Sequence, residues 1–200
     1  MRHLIPLFAA AVLAAGPATG QQATNAPAGN FRLTDMTGKA VQLSDYKGRT
    51  VVLEWNNPEC PFVKKHYAGN MQRTQAAAKR DGVVWLTINS GAPGKQGHLT
   101  PEGARAYVSG VKAQPAAYLL DPQGQVGKGY AAKTTPHMYV IDGKGVLRYQ
   151  GGIDDKPTPD PADVAGARNH VLAALSELKA GKPVSVPETR PYGCSVKYAG

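Results

Sequence analysis

The feature that most constrains the fold is a strand pattern that runs directly into a cysteine and a helix start. Thr50–Trp55 is rich in β-branched and apolar residues, which predicts a central strand. The strand breakers of Asn56–Pro61 follow, and the Ala-, Gln- and Lys-rich stretch Pro61–Arg80 predicts a helix, either continuous or interrupted near Gly69. Cys60 therefore falls between a central strand and the helix that follows it.

The rest of the chain alternates short apolar runs with helical patterns. A second buried strand is predicted at Val83–Ile88, a helix begins after the N-cap residue Thr100, and a final helix is predicted over Pro161–Lys179. Further short strands are predicted at Phe31–Leu33, Val41–Leu43, Ala117–Leu120, Met138–Ile141 and Val146–Tyr149. This order predicts an α/β protein with an open, mixed central sheet and helices on both faces.

The first twenty residues have the layout of a secretory signal peptide. Arg2 and His3 form a basic start, Leu4–Ala15 is almost wholly apolar, and the small residues Ala18–Gly20 suit a cleavage site. No later stretch reaches the ~18 apolar residues of a spanning helix, so stable membrane insertion is not predicted. We expect an exported protein, periplasmic or secreted, with a signal peptide at 1–20, a flexible lead-in at 21–30, a folded domain at 31–181 and an extended tail at 182–200 that packs on the domain.

The charge of the chain favours no particular macromolecular partner. The 23 Lys and Arg residues outnumber the 14 Asp and Glu residues, which gives a net charge of +9. The basic residues are scattered singly or in short pairs, without a basic arm or an aromatic-basic motif, so we predict no nucleic-acid partner. The excess charge is interpreted as surface charge that aids solubility, and the pattern leaves the oligomeric state open.

Cys60 and Cys194 are the only two cysteines of the chain. In an oxidising compartment such a pair favours a disulfide. The bond would close a loop of 133 intervening residues, for which the chain-entropy relation gives about 5 kcal/mol of stabilisation. A purely structural disulfide is therefore one hypothesis, and redox chemistry at Cys60 is the other.

The position of Cys60 at a helix start favours the redox hypothesis. Pro61 suits the first helical position, which makes Cys60 the N-cap residue. Free backbone N–H groups and the positive end of the helix dipole favour a thiolate there. Lys64 and Lys65 add positive potential about one turn further on, and Glu59 opposes it. Because the thiolate is the form that attacks disulfides and peroxides, a reactive sulfur is predicted, with a buried inert thiol as the alternative.

A Thr-Pro pair, Thr135-Pro136, stands directly before the predicted strand Met138–Ile141. Proline has no N–H to donate to a strand ladder, so it belongs at the start or the edge of a strand, with a cis peptide bond as one option. His137 follows, where its ring could tune the sulfur or simply be satisfied by backbone groups. His66, six residues beyond Cys60, is predicted to lie on the surface.

The order of these elements resembles the thioredoxin fold, an α/β three-layer sandwich. Within it, Trp55–Lys64 is similar to the peroxiredoxin-like redoxins of the alkyl hydroperoxide reductase/thiol-specific antioxidant family. The tail segment Gly193–Lys197 resembles a C-terminal Gly-Cys segment of the same family. The resemblance covers Phe31–Tyr198, nearly the whole of the expected mature chain.

The resemblance implies roles for four residues. Cys60 carries the redox-active sulfur, and Pro136 is a cis-proline packed beside it. Thr135 offers backbone groups to a bound peptide. Cys194 is the candidate resolving cysteine, because a sulfenic acid on Cys60 would condense with its thiol to a disulfide.

The sequence departs from the family pattern at two positions. Many members have a Cys-x-x-Cys motif whose first cysteine would fall at Asn57. The peroxiredoxin signature has Thr or Ser at that same position and Pro where this chain has Leu53. Asn57 is retained as a candidate site residue, because its carboxamide could hydrogen-bond the sulfur or a peroxide oxygen.

The predicted function is that of an exported thiol oxidoreductase. Cys60 attacks a protein disulfide or a hydroperoxide, Cys194 resolves the product, and an external thiol reductant restores both. The alternative is a non-catalytic domain of the same fold with a structural Cys60–Cys194 disulfide that binds a partner or a metal. No cofactor is predicted. Cys60, Cys194, His137 and Met138 would form a soft copper donor set, but no ligand spacing supports one.

Overall fold

The computed structural model describes residues 22–199, so the signal peptide predicted at 1–20 lies outside the described part. The strands are β1 Arg32–Asp35, β2 Ala40–Gln42, β3 Val51–Trp55, β4 Val84–Asn89, β5 Ala117–Leu120, β6 Thr134–Thr135, β7 His137–Ile141, β8 Leu147–Gly151 and β9 Cys194–Ser195. The helices are α1 Pro61–Tyr67, α2 Asn70–Arg80, α3 Pro101–Gly110, α4 Gln125–Gly129 and α5 His170–Lys179, with 3-10 turns at Leu43–Tyr46 and Pro161–Gly166. None of the described helices is long and apolar enough to cross a bilayer.

Seven strands form one mixed sheet in the order β2-β1-β5-β4-β3-β7-β8. The central strands β3, β4 and β5 are parallel, and β7 runs antiparallel to β3. Every residue of β3 and β4 is buried, which matches their nearly continuous apolar sequences, because strands in the middle of a three-layer protein are covered on both faces.

Helices cover both faces of the sheet. On one face, Val52 of β3 packs with side chains from α1, α2 and α5. On the other face, Leu53 packs with Tyr130, which follows α4. The predicted α/β three-layer architecture with a mixed sheet is therefore confirmed.

Two predicted helices differ from the structure in length. The helix over Pro61–Arg80 is divided at Gly69, whose φ of +121° lies outside the helical region. The final helix is shorter than predicted. Its first part, Pro161–Gly166, is a 3-10 turn, and only α5 is α-helical. The Asn169 side chain accepts the N–H of Leu172 at 2.9 Å and so starts α5 well after Pro161.

Residues 22–29 are not the flexible lead-in that the sequence predicts. The N–H of Ala28 donates to Gly145 O at 2.9 Å, and the N–H of Asn25 donates to Leu147 O at 2.7 Å. Pro27 also forms a bridge with Val146. The segment lies beside residues 145–147, which lead into β8, and its backbone groups make hydrogen bonds with them.

The tail beyond α5 lies against the sheet and ends beside β6. The N–H of Thr189 donates to Gln150 O at 3.1 Å, and the N–H of Gln150 donates to Pro187 O at 3.0 Å. Further on, β9 pairs antiparallel with β6, and the N–H of Ala92 donates to Lys197 O at 2.8 Å. These contacts bring Cys194 to the carboxyl end of β3.

Candidate active site

Cys60 is the N-cap residue of α1 and lies just beyond the carboxyl end of β3, with Pro61 at the first helical position. Its side chain is completely buried. The sequence predicts this position but also expects helix N–H groups to face the sulfur, and the N-cap side chain makes no hydrogen bond to α1. The partners of the sulfur come instead from β6 and from the tail.

The first partner is the loop that carries Pro136. The Thr135–Pro136 peptide bond is cis and joins β6 to β7. Cys60 Sγ lies 3.1 Å from the carbonyl oxygen of Thr135, to which a thiol can donate. The structure therefore brings the predicted cysteine and the predicted Thr-Pro pair together.

The second partner is Cys194. Its backbone N–H donates to Cys60 Sγ at 3.4 Å, and Thr135 Oγ1 donates to its carbonyl oxygen at 3.4 Å. Both cysteines are free thiols. Burial and the adjacent Cys60 sulfur raise the pKa of the Cys194 thiol to about 12, so Cys194 is protonated at neutral pH.

The contacts of the Cys60 sulfur suit a protonated thiol. Thr135 O is an acceptor, and the Cys194 N–H is a donor. A thiol satisfies both, because its S–H points to the carbonyl while a lone pair accepts the amide. A thiolate would face the carbonyl with no proton between them. This closed arrangement shields the Cys60 sulfur between one hydrogen-bond acceptor and one donor.

Gly193 allows the tail to approach this closely. A Cβ at this position would lie 2.1 Å from Thr135 O, and its φ of +129° is one that side-chain-bearing residues rarely adopt. The glycine before Cys194 is therefore required by the contact between β6 and β9.

Asn57 does not serve as the predicted partner of the sulfur. Its Oδ1 accepts the N–H of Glu59 at 2.9 Å, which closes a turn before Cys60, and its Nδ2 donates to Gln96 O at 3.5 Å. A Cβ on Gly97 would lie 1.9 Å from Asn57 Oδ1, so the carboxamide packs against that loop. These contacts engage the carboxamide locally, as is common for an Asn that precedes a turn.

His137 is buried, and its ring is held by backbone. The N–H of Lys133 donates to His137 Nδ1 at 3.3 Å, and the hydroxyl of Tyr139 lies 3.2 Å from the same nitrogen. Burial and the nearby Lys133 charge lower the pKa of His137 to about 3, which leaves the ring neutral at neutral pH. Of the two predicted roles, the geometry favours a ring satisfied by backbone.

His66 is buried, which corrects its predicted surface position. It lies three residues after the buried Val63, on the face of α1 that packs inwards, and this spacing is the signal that was available. His66 Nε2 is 3.1 Å from the hydroxyl of Tyr192 in the tail, and that hydroxyl donates to Asp154. The sequence analysis did not predict that Tyr192 of the tail would contact His66 and Asp154.

Glu54 is a further buried acid that the sequence analysis did not single out. It lies in β3, is fully buried, and burial raises its pKa. Its carboxyl oxygens accept hydrogen bonds from the side chains of Asn56, Tyr67, Trp85 and Thr87. None of these described partners is Cys60, and the network ties α1 and β4 to β3.

The described residues contain no cluster of three or more His, Cys, Asp or Glu side chains that could hold a metal ion. The donors considered for copper therefore do not assemble into such a cluster. The groups that the structure brings together here are the two thiols and the loop of Thr135 and Pro136.

The fold and the site together define a class of protein. A central strand ends at a cysteine on a helix start, and a cis-proline on the neighbouring strand lies beside it, as in thioredoxin-fold thiol proteins. Residues 24–150 match the AhpC/TSA family. The chain belongs to this family and is a thioredoxin-fold redoxin, related to thiol–disulfide oxidoreductases.

Individual relatives agree with this assignment. The methylamine utilization protein MauD of Paracoccus versutus is 25% identical over 166 residues, which are 83% of this chain and 68% of MauD. An uncharacterised protein of Geobacillus kaustophilus is 27% identical with a TM-score of 0.75, over 88% of this chain and 93% of that one. A candidate thiol:disulfide interchange protein DsbE of Chlorobium tepidum is 27% identical with a TM-score of 0.53, over 65% and 85%.

Proposed function

We propose that this protein is an exported thiol–disulfide oxidoreductase in which Cys60 attacks a substrate disulfide and Cys194 resolves the product. The observation that carries the proposal is the contact between the two cysteines, with the Cys194 amide 3.4 Å from Cys60 Sγ. Thr135 contacts both residues and precedes the cis-proline Pro136. Two thiols held together by one loop are equipped to exchange a disulfide.

The proposed cycle has three steps. The Cys60 thiolate attacks one sulfur of a substrate disulfide, which forms a mixed disulfide and releases the other sulfur as a thiolate. The Cys194 thiolate then attacks Cys60 Sγ, forms the Cys60–Cys194 disulfide and releases the second substrate thiolate. An external dithiol supplies two electrons and returns both cysteines to thiols, while it becomes a disulfide itself.

The environment of Cys60 favours an extended polypeptide as substrate. The backbone edge of β6 already pairs with an extended segment, because Thr135 lies opposite Cys194 and Thr134 opposite Ser195. A substrate strand with its own cysteine can make the same pairing once the tail has left.

Reduction of a hydroperoxide is the second reaction to test. It would give a sulfenic acid on Cys60 and an alcohol, and Cys194 would then form the disulfide with loss of water. Asn57 stands where the peroxiredoxin signature has Thr or Ser, and its carboxamide is engaged with Glu59 and Gln96. This occupied side chain supports disulfide exchange over peroxide reduction.

The tail must move during the cycle. Cys60 has no exposed surface, so a substrate disulfide cannot reach it in the closed form. The Cys194 thiol has a pKa of about 12 in the closed form, so it becomes a nucleophile only when the site opens or a base accepts its proton. The pairing between β6 and β9 spans only two residues on each strand, which suits a contact that opens.

Export and the domain boundaries are also proposed from the sequence. The signal-peptide pattern of residues 1–20 supports transfer to an oxidising compartment, where substrate disulfides occur. The external reductant would then be a thiol protein or small dithiol of that compartment. The folded unit would comprise the predicted domain at 31–181 together with the tail and the preceding segment 22–29, which bonds residues 145–147.

The test compares two assays on the mature chain. With a dithiol as electron donor, we expect the protein to reduce insulin disulfides faster than it consumes hydrogen peroxide or an organic hydroperoxide. Cys60→Ser should lower both rates to the uncatalysed background, and it serves as the blank. Insulin reduction by the wild type that does not exceed this blank would contradict the proposal. Peroxide consumption that is faster than insulin reduction would instead favour hydroperoxide reduction as the activity.

A further inference from the structure

Tyr192 packs the tail against α1, the helix that Cys60 caps. It lies two residues before Cys194, and its ring packs 5.9 Å from the ring of Phe62 in α1, measured between centroids. The Nζ atom of Lys65, also in α1, is 5.7 Å from the centroid of the Tyr192 ring. Tyr192 therefore contacts the first two turns of α1 while Cys194 contacts the residue that caps it.

The hydroxyl of Tyr192 belongs to a chain of directed hydrogen bonds. It contacts His66 Nε2 at 3.1 Å and donates to Asp154 Oδ1, and Asn70 Nδ2 lies 2.8 Å from His66 Nδ1. An amide nitrogen can only donate, so His66 Nδ1 accepts and the ring proton sits on Nε2. The direction of every bond is then determined: Asn70 donates to His66, His66 to Tyr192, and Tyr192 to Asp154.

The two partners of the Tyr192 hydroxyl are buried, whereas Tyr192 itself is partly exposed. His66 and Asp154 are both buried, and burial lowers the pKa of His66 to about 4, so the ring is neutral at neutral pH. Asp154 Oδ1 also accepts the N–H of Lys156 at 3.0 Å, whereas its Oδ2 has no partner within the described structure and lies 4.0 Å from His66 Nε2. The Tyr192 hydroxyl is thus the only side-chain donor that Asp154 has among the described residues, and such charge-assisted bonds are among the stronger ones.

We propose that Tyr192 is a positioning residue, which holds Cys194 against Cys60 through the hydrogen bonds of its hydroxyl with the buried His66 and Asp154 side chains. This inference rests on the proposed function for its redox consequence, but the docking of the tail can be measured without it. Loss of the hydroxyl leaves His66 Nε2 without its hydrogen-bond partner in the docked state and leaves Asp154 Oδ1 with the N–H of Lys156 alone. The tail is then released more often, and Cys194 spends less time beside Cys60.

The test uses Tyr192→Phe, which keeps the ring and removes only the hydroxyl. Ser185→Ala is the matched control, because Ser185 also joins the tail to a carboxylate, Glu177 of α5, but nine residues away from Cys194. Two quantities are measured on the full mature chain: the rate at which iodoacetamide alkylates Cys60 in the reduced protein, and the equilibrium constant for Cys60–Cys194 disulfide formation in glutathione buffers.

We expect Tyr192→Phe to raise the alkylation rate and to lower the equilibrium constant, each by about tenfold, while Ser185→Ala changes both by less than about twofold. Asp154→Asn removes the charge at the end of the chain and should shift both quantities in the same direction, which covers a Tyr192 variant that folds poorly. Equal values for wild type and Tyr192→Phe would overturn the inference. A wild type that forms no disulfide would instead count against the proposed function, and the alkylation rates would still decide the role of Tyr192.

Discussion

Cys194→Ser is expected to lower the steady turnover of disulfide reduction by about 100-fold and to trap Cys60 in a mixed disulfide with its substrate. A thiol held beside Cys60 acts at a far higher effective concentration than a dilute external thiol can reach. The serine hydroxyl keeps the shape of the side chain but cannot attack a disulfide. The trapped species is measured as an adduct by intact-mass spectrometry under non-reducing conditions.

The same variant separates catalysis from a structural role. If Cys194 only forms a staple, Cys194→Ser should unfold more easily in denaturant than the oxidised wild type while disulfide reduction continues at the wild-type rate. That combination would contradict a resolving role for Cys194. The first attack by Cys60 should persist in the variant, and Cys60→Ser provides the control in which no adduct forms.

Gly193→Ala is expected to release the tail and to speed alkylation of Cys60 by about 100-fold. The added Cβ would lie 2.1 Å from Thr135 O, a backbone atom that cannot turn away, and φ at this position is +129°. The steric overlap and the backbone strain together cost about 3 kcal/mol in the docked state, which corresponds to about 100-fold in the docking equilibrium. The rate of Cys60 alkylation in the reduced protein measures the effect.

Gly181→Ala is the matched control for this experiment. Gly181 also has a positive φ, +67°, and starts the same tail, but a Cβ there meets nothing within 4 Å. Alanine there would also take a positive φ, but it should not disturb the contact between β6 and β9, so the alkylation rate should stay near that of the wild type. Similar rates in the two variants would mean that the tail does not shield Cys60.

The parts of the site that follow from local pattern were predictable. The strand that ends before Cys60, the helix that begins at Pro61 and the proline at the start of β7 each depend on residues close in sequence. The pattern of buried strands likewise predicts the mixed sheet with helices on both faces, because fully apolar strands must be covered twice.

The parts that differ from the prediction depend mostly on distant contacts. His66 was expected at the surface, but it is buried and contacts Tyr192 of the tail. Asn57 is a local case, because its carboxamide bonds the turn before Cys60. Residues 22–29 were expected to be flexible from composition, yet they find backbone partners around Val146. Nothing in the local sequence of the tail states that it will pair with Thr134 and Thr135 across 59 residues or more.

The pairing of the tail with β6 also makes the burial of Cys60 compatible with the proposed redox role. A sulfur sealed among apolar side chains alone would be inert. Cys60 is instead covered by a short segment that carries the second cysteine. This segment is held by the two-residue pairing of β9 with β6, by the Tyr192 hydroxyl and by backbone hydrogen bonds on either side of Cys194. The β6–β9 pairing and the Tyr192 hydrogen bonds can each be weakened by a substitution. The opening of the closed form can then be measured as the alkylation rate of Cys60.

The most direct test of the central claim is to map the link between Cys60 and Cys194 by peptide mass spectrometry across a series of glutathione buffers. We expect a Cys60–Cys194 disulfide that forms under mild oxidation and is reduced at a potential above about −300 mV, as for exchangeable rather than structural disulfides. Two thiols that never form a disulfide would contradict the claim that these cysteines form a working redox pair. A disulfide whose reduction potential lies below about −300 mV would contradict it as well.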